Sequence, residues 1–133
     1  MPHRDQAQSS SIRRKKILLV DDSQTALMAQ RVVLSRLPCD IIVAHDGEEA
    51  VKKALDEHPD VILMDVVLPK MDGYQACRAI RCRSETKSIP IIMVTTRGKP
   101  EHIAAGYRSG CNDYLTKPID SNELIARVWS HLE

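Results

Sequence analysis

The chain has 133 residues, enough for one hydrophobic core and too few for two ordinary domains. Its 43% hydrophobic and 28% charged residues describe a soluble globular domain, not a membrane protein or a disordered polyelectrolyte, and with no Phe, one Trp and three Tyr the core falls to aliphatic side chains. Net charge is +1, but Arg4, Arg13, Arg14, Lys15 and Lys16 against Asp5 put residues 1–20 at +4 and the remainder at −3, so the body offers no basic face for direct nucleic-acid binding.

Residues 1–14 are polar, contain Ser9-Ser10-Ser11, and read as a disordered tail ahead of a domain over 15–133. Residues 13–16 admit a localisation or anion-binding patch, although a solvated lead-in to the first strand is the plainer reading. No apolar run reaches signal-peptide or membrane-span length, which points to the cytoplasm and to no membrane partner.

Residues 17–20 form the first of five dense aliphatic runs. Asp21-Asp22 closes it, and Ser23 is placed to cap a helix whose face is marked by Ala26, Ala29, Val33 and Leu37. The second run is 41–44; Asp46 then caps a helix with Ala50, Val51, Ala54 and Leu55 on one face. The third, 61–64, ends in Asp65 and precedes a helix marked by Tyr74, Cys77 and Ile80. The fourth, 91–94, ends in Thr95-Thr96; Pro100 opens the next helix, Ile103 and Tyr107 mark its face and Gly110 ends it. The fifth and weakest, 114–115, leads to Lys117-Pro118, and Leu124, Val128 and Leu132 mark the last helix.

Runs without polar alternation suit strands covered on both faces, hence a parallel sheet. Five strand–helix units predict an α/β doubly wound five-stranded sheet flanked by five helices, with right-handed crossovers. The four cysteines, Cys39, Cys77, Cys82 and Cys111, form no Cys-x-x-Cys pair and have no His at zinc spacing, so they read as buried free thiols in a reducing cytosol.

In such a sheet the binding crevice lies beyond the carboxyl ends of the strands. Those ends carry Asp21-Asp22, Asp65, Thr95-Thr96 and Lys117. Three carboxylates on one edge repel unless a cation intervenes, and oxygen-only donors suit a hard ion; Mg²⁺ fits best because it keeps waters and needs few protein ligands. A carboxylate nucleophile, a divalent cation, an ammonium and a hydroxyl together suit formation of an acyl phosphate. Taken singly, each has a plainer reading as a helix cap, a turn residue, a strand residue or a strand terminator; their joint placement favours the chemistry.

The segments Val20-Asp21-Asp22-Ser23, Met64-Asp65-Val66-Val67-Leu68-Pro69-Lys70-Met71-Asp72-Gly73, Val94-Thr95-Thr96 and Tyr114-Leu115-Thr116-Lys117-Pro118 resemble the motifs of bacterial response-regulator receiver domains, over about residues 15–132. The likeness is strongest to single-domain chemotaxis-type regulators, including those of pilus motility. It implies a flavodoxin-like sheet in the order 2-1-3-4-5. It also implies that Asp65 is the phosphoacceptor, that Asp22 binds Mg²⁺ directly and Asp21 through water, and that the backbone carbonyl of Val67 completes the protein's share of the shell. Thr95 and Lys117 then bind phosphoryl oxygens, Tyr114 is the aromatic switch that follows Thr95, and the Lys117–Pro118 bond is cis. Ile103, Arg108, Tyr114 and Trp129 fall on the fourth helix, fifth strand and fifth helix, which the resemblance makes the output surface. The implied partners are a histidine kinase, of chemotaxis type, and a protein recognised by that surface; the chain is a monomer or a weak phosphorylation-dependent dimer. Thr96 stands where a smaller residue is usual, and Val67 and Arg97 flank the acyl phosphate, where they tune its lifetime.

The leading function is therefore a phosphoacceptor switch that catalyses only its own phosphorylation and slow dephosphorylation. A receiver cut from a longer regulator has the same sequence signature. A haloacid-dehalogenase-type phosphatase shares the Asp nucleophile, Mg²⁺, Thr and Lys, but needs a second acid two residues after the nucleophile; Val67 follows Asp65 and Ser23 follows Asp21 at that spacing. A pure interaction module would lack phosphate uptake.

Overall fold

The computed structural model describes residues 14–133. In chain order the elements are β1 (Lys15–Val20), α1 (Gln24–Leu34), β2 (Cys39–Ala44), α2 (Gly47–Glu57), β3 (Val61–Met64), α3 (Gly73–Arg81), β4 (Ile91–Thr95), α4 (Pro100–Ser109), β5 (Asp113–Thr116) and α5 (Ser121–Leu132). The five strands form one parallel sheet in the order β2-β1-β3-β4-β5. The expected doubly wound α/β architecture is thus the observed one.

The aliphatic runs are buried on both sides of the sheet, and alternate residues serve opposite faces. Leu18, Val20, Ile62, Met64, Ile91 and Met93 join Ala50, Ala54, Ala76, Cys77 and Ile80 in one core layer. Ile17, Leu19, Leu63, Ile92 and Val94 join Leu27, Leu34, Leu124, Val128 and Leu132 in the other. Burial on both faces is why the runs carry no polar alternation. The strands reach beyond the aliphatic runs at several ends: Lys15 and Lys16 pair with Cys39 and Asp40, and Asp113 pairs with Ile92. Ladder hydrogen bonds come from the backbone and extend regardless of side-chain polarity.

Four of the five helix starts are held by side-chain caps. Ser23 Oγ accepts from Ala26 N at 3.2 Å, Asp46 from Glu49 N at 2.8 Å, Asp72 from Gln75 N at 2.9 Å, and Asp120 from Asn122 N and Glu123 N. Pro100 occupies the first turn of α4, and Gly110 ends it at φ 109°.

Three readings of the sequence are corrected. The fully buried residues of α1 are Leu27, Gln30 and Leu34; Val33 and Leu37 of the expected face pack half-buried against the same core layer, Leu37 from past the helix end, while Ala26 and Ala29 line a groove toward Ile119 and Leu124. The polar Gln30 sits in the true stripe and small alanines beside it, so the periodicity pointed about one residue away. On α4, Tyr107 is exposed; Gly106 and Ser109 are its buried residues because the close approach to the sheet leaves room only for small groups. Cys39, Cys77 and Cys111 are buried, but Cys82 is exposed at the C-cap of α3. Arg14, the last residue of the expected tail, donates from its guanidinium to Asp40 at 2.8 Å and to the Cys39 carbonyl. Residues 1–13, and with them the rest of the expected tail, lie outside the described residues.

Candidate functional site

The parallel register delivers the polar strand ends to one edge. Val20 is level with Met64, Met64 with Met93, and Thr95 with Thr116. The ladder continues one residue past the strands: Asp21 N donates to Ala44 O at 3.1 Å, Asp65 N to Val20 O at 3.0 Å, and Lys117 N to Thr95 O at 2.8 Å. Asp21, Asp65 and Lys117 are therefore fixed by backbone pairing, not by flexible loops.

Lys117 joins the carboxylates. Its Nζ lies 2.7 Å from Asp21 Oδ2 and 3.1 Å from Asp65 Oδ2. The remaining oxygens are also engaged: Asp21 Oδ1 accepts from Ser23 N at 3.0 Å, and Asp65 Oδ1 from Val67 N at 3.2 Å. Asp21 is 1% exposed and Asp65 8%, which leaves Asp65 the more accessible of the two. Burial opposes charge on Lys117, but the hydrogen bonds and charges of Asp21 and Asp65 outweigh it and hold the ammonium pKa above its usual value.

One ammonium serves two buried carboxylates, and the exposed Asp22 stands next to them. The cluster keeps a net negative charge, and its donors are oxygens. That donor set fits a hard cation such as Mg²⁺. No cage of three or more His, Cys, Asp or Glu side chains is preformed among the described residues. An ion that keeps most of its waters does not need one.

The loop after β3 shapes the opening. Gly73 N donates to Val66 O at 2.8 Å and Met71 N to Pro69 O at 2.7 Å, while Lys70 adopts φ 68°. Gly73 permits this closure: a Cβ there would lie 2.3 Å from Asp65 O. Val67 is 47% exposed, and Thr96 and Arg97 are exposed beside the fully buried Thr95. The Lys117–Pro118 peptide is cis, as expected.

Thr95 Oγ1 accepts from Arg97 N at 3.3 Å. Tyr114, on β5, packs against Gly106 of α4, where a Cβ would meet its ring atoms at 2.7 Å. Its hydroxyl donates to Arg97 O at 2.7 Å and lies 3.3 Å from the hydroxyl of Tyr74, which donates to His102 O at 2.9 Å. Burial first, then the hydrogen bond and charge of Tyr74, push the Tyr114 pKa up from its ordinary value. Tyr74 was read from sequence only as a helix-face residue; the signal available was that a part-buried Tyr needs a partner for its hydroxyl.

The expected output residues sit on the elements around edge strand β5. Ile103 is half-buried, Arg108 is exposed and Trp129 is 44% exposed. Arg127 and His131 of α5 both hold Asp113 at the start of β5, at 2.9 and 2.7 Å.

Comparison with known proteins agrees with this geometry. Residues 17–129 match the family model described as the response regulator receiver domain. The chain is 37% identical over 117 residues to Protein PilG of Pseudomonas aeruginosa, covering 88% of this chain and 87% of that protein. Among solved structures, the receiver domain of the sensor histidine kinase PA1611 of Pseudomonas aeruginosa, with a magnesium ion coordinated in its active site cleft, aligns with a TM-score of 0.83 and 33% identity over 90% of this chain and 98% of that one. The chemotaxis response regulator CheY4 of Vibrio cholerae aligns with a TM-score of 0.82 and 33% identity, over 89% and 98% of the two chains.

Proposed function

The chain belongs to the response-regulator receiver-domain family, a family of phosphoacceptor switches in two-component signalling, and on that premise we propose that Asp65 takes its phosphoryl group from a histidine kinase in a Mg²⁺-dependent reaction. The observation that carries this assignment is the Lys117 ammonium held between Asp21 and Asp65 at the edge where the strands end.

In the reaction an Asp65 carboxylate oxygen attacks phosphorus, the bond from phosphorus to the kinase imidazole nitrogen breaks with its electron pair going to nitrogen, and the imidazole, already protonated on its other ring nitrogen, leaves neutral. Asp65 needs no general base because it is already an anion. Lys117 neutralises the carboxylates before transfer and is placed to move its hydrogen bond from Asp65 to a phosphoryl oxygen afterwards. The Thr95 hydroxyl offers a second donor to the same group. Mg²⁺, when bound, offsets the charge that builds on the phosphoryl oxygens. Asp21, Asp22, Asp65 and the Val67 carbonyl would hold it.

Dephosphorylation needs a water aligned behind phosphorus. Val67 offers that water no hydrogen bond, so phospho-Asp65 is long-lived. Output follows from Thr95 and Tyr114 acting on α4, β5 and α5, including Ile103, Arg108 and Trp129. The reading includes a cytoplasmic setting, a kinase of chemotaxis type, a monomer or weak phosphorylation-dependent dimer, and a tail preceding the receiver domain.

A small phosphodonor such as acetyl phosphate tests it. With Mg²⁺ the wild type should incorporate one phosphoryl group, Asp65→Asn none, and Asp22→Ala far less at the same Mg²⁺ concentration. Strong labelling in excess chelator, or undiminished labelling of Asp65→Asn, would overturn the assignment.

A further inference from the structure

Tyr74 and Tyr114 come from α3 and β5, yet their hydroxyl oxygens lie 3.3 Å apart. The contact belongs to a chain of groups. His102 O of α4 accepts from Tyr74, and Arg97 O of the β4–α4 loop accepts from Tyr114. Each hydroxyl has one proton, and the two carbonyls take both at 2.9 and 2.7 Å. The longer oxygen–oxygen contact forms fully only when one proton leaves its carbonyl, so the tyrosine pair has two competing hydrogen-bond arrangements.

Gly106 gives the ring its place. A Cβ at this position would stand 2.7 Å from Cδ2 and Cε2 of Tyr114, so the ring occupies space that a glycine on α4 leaves open. Gly106 is buried and lies within the helix, where its conformational freedom has no use and alanine would be the better helix former. Its small size is what the packing uses.

We propose that Tyr74 is a positioning residue for the switch: it fixes the start of α4 through His102 O and keeps Tyr114 turned into the Gly106 slot before any phosphoryl group arrives. Taking the inward ring as the signalling position of that switch, the unphosphorylated protein already holds part of the signalling geometry of α4 and β5. Phosphorylation completes a bias that the tyrosine pair has set, because a two-state element responds to the sum of the interactions favouring each state. This rests on the reading of Asp65 as phosphoacceptor and Tyr114 as switch. Among the described residues Tyr74 forms no hydrogen bond with Asp21, Asp65 or Lys117, so it acts through Tyr114 and α4.

The experiment uses the full chain and NMR. In the unphosphorylated wild type, Tyr114 ring protons should show cross-relaxation with the Gly106 α-protons. Tyr74→Phe keeps the ring and removes the hydroxyl, and with it both the bond that fixes the start of α4 through His102 O and the contact to the Tyr114 hydroxyl; the inward-to-outward ratio should fall by about fivefold, the equivalent of one hydrogen bond, and weaken that signal. Gly106→Ala should abolish the inward ring while α4 stays helical. Beryllofluoride with Mg²⁺ should bind the wild type and Tyr74→Phe alike, and should move the α4 and β5 amides further in Tyr74→Phe, because its ring starts outside. Absence of the Tyr114–Gly106 signal in the wild type, its persistence unchanged in Tyr74→Phe, or a Tyr114 ring still in contact with the new methyl protons at position 106 in Gly106→Ala overturns the proposal. Failure of the wild type itself to bind beryllofluoride overturns instead the Asp65 reading, which the ring measurement does not depend on.

Discussion

Two residues set chemical limits that are testable directly. Val67 is 47% exposed beside Asp65, yet its side chain has nothing to offer an attacking water. Val67→Asn should therefore shorten the life of phospho-Asp65 by roughly five- to thirtyfold, the equivalent of about 1–2 kcal/mol of barrier. Single-turnover decay of labelled protein in one Mg²⁺ buffer measures it, and an equal or slower rate in the variant refutes water access at this position as the control. Cys111 behaves differently. Burial, reinforced by Cys77 and Asp113, pushes its thiol up to about 12 from the usual 9.0. A group that keeps its proton longer folded than unfolded stabilises the fold fully below its unfolded pKa, and that contribution is lost as pH rises from about 9 toward 12, by about 1.4 kcal/mol per pH unit. Denaturant midpoints should fall over this window in the wild type and fall less in Cys111→Ala. At pH 8, a thiol reagent should modify the exposed Cys82 rapidly and the buried Cys39, Cys77 and Cys111 only on unfolding.

At the scale of elements, close backbone approach decides what each helix start tolerates. Gly73 lies where α3 begins, and a Cβ there would be 2.3 Å from Asp65 O and 2.8 Å from Val66 Cα. Both obstacles are main chain, which cannot rotate aside. Gly73→Ala should cost about 1–3 kcal/mol in denaturant unfolding despite alanine's better helix propensity, and should slow phosphoryl uptake by displacing Asp65. Unchanged stability and uptake would mean that the β3–α3 loop yields more easily than its two hydrogen bonds, Gly73 N to Val66 O and Met71 N to Pro69 O, suggest. Gly106 is the contrasting case, since there the obstacle is a side-chain ring with somewhere else to go.

For the molecule as a whole, one edge of the sheet takes the signal, and the side around β5 is where it is expected to emerge. Thr95 ends β4, which pairs with the strand that Asp65 follows, and Tyr114 sits on the next strand, so the path between the two regions is short. Phosphorylation should move amide resonances along α4, β5 and α5 and leave the C-terminal half of α1, from Gln30 to Leu34, nearly still. Comparable shifts in that half of α1 would count against the path. Only a few kcal/mol between two pre-existing arrangements is needed.

Much of this was legible in the chain because it is local. The runs ending at Val20, Met64 and Val94 lack polar alternation, which by itself announces strands buried on both faces; Ser23 and Asp46 announce helix starts; and Asp21, Asp65, Thr95 and Lys117 directly follow the aliphatic runs or stand within two residues of them, so the parallel fold had to gather them on one edge. What the sequence could not determine depends on how distant surfaces meet. The inward stripe of α1 runs through Leu27, Gln30 and Leu34 because the sheet and α5 jointly set that helix's rotation, and a polar Gln30 hid it. The bridge of Lys117 to both Asp21 and Asp65, and the meeting of Tyr74 with Tyr114, are distances between side chains far apart in the chain. Periodicity orients a residue within its own element; only packing decides which residue of another element it touches.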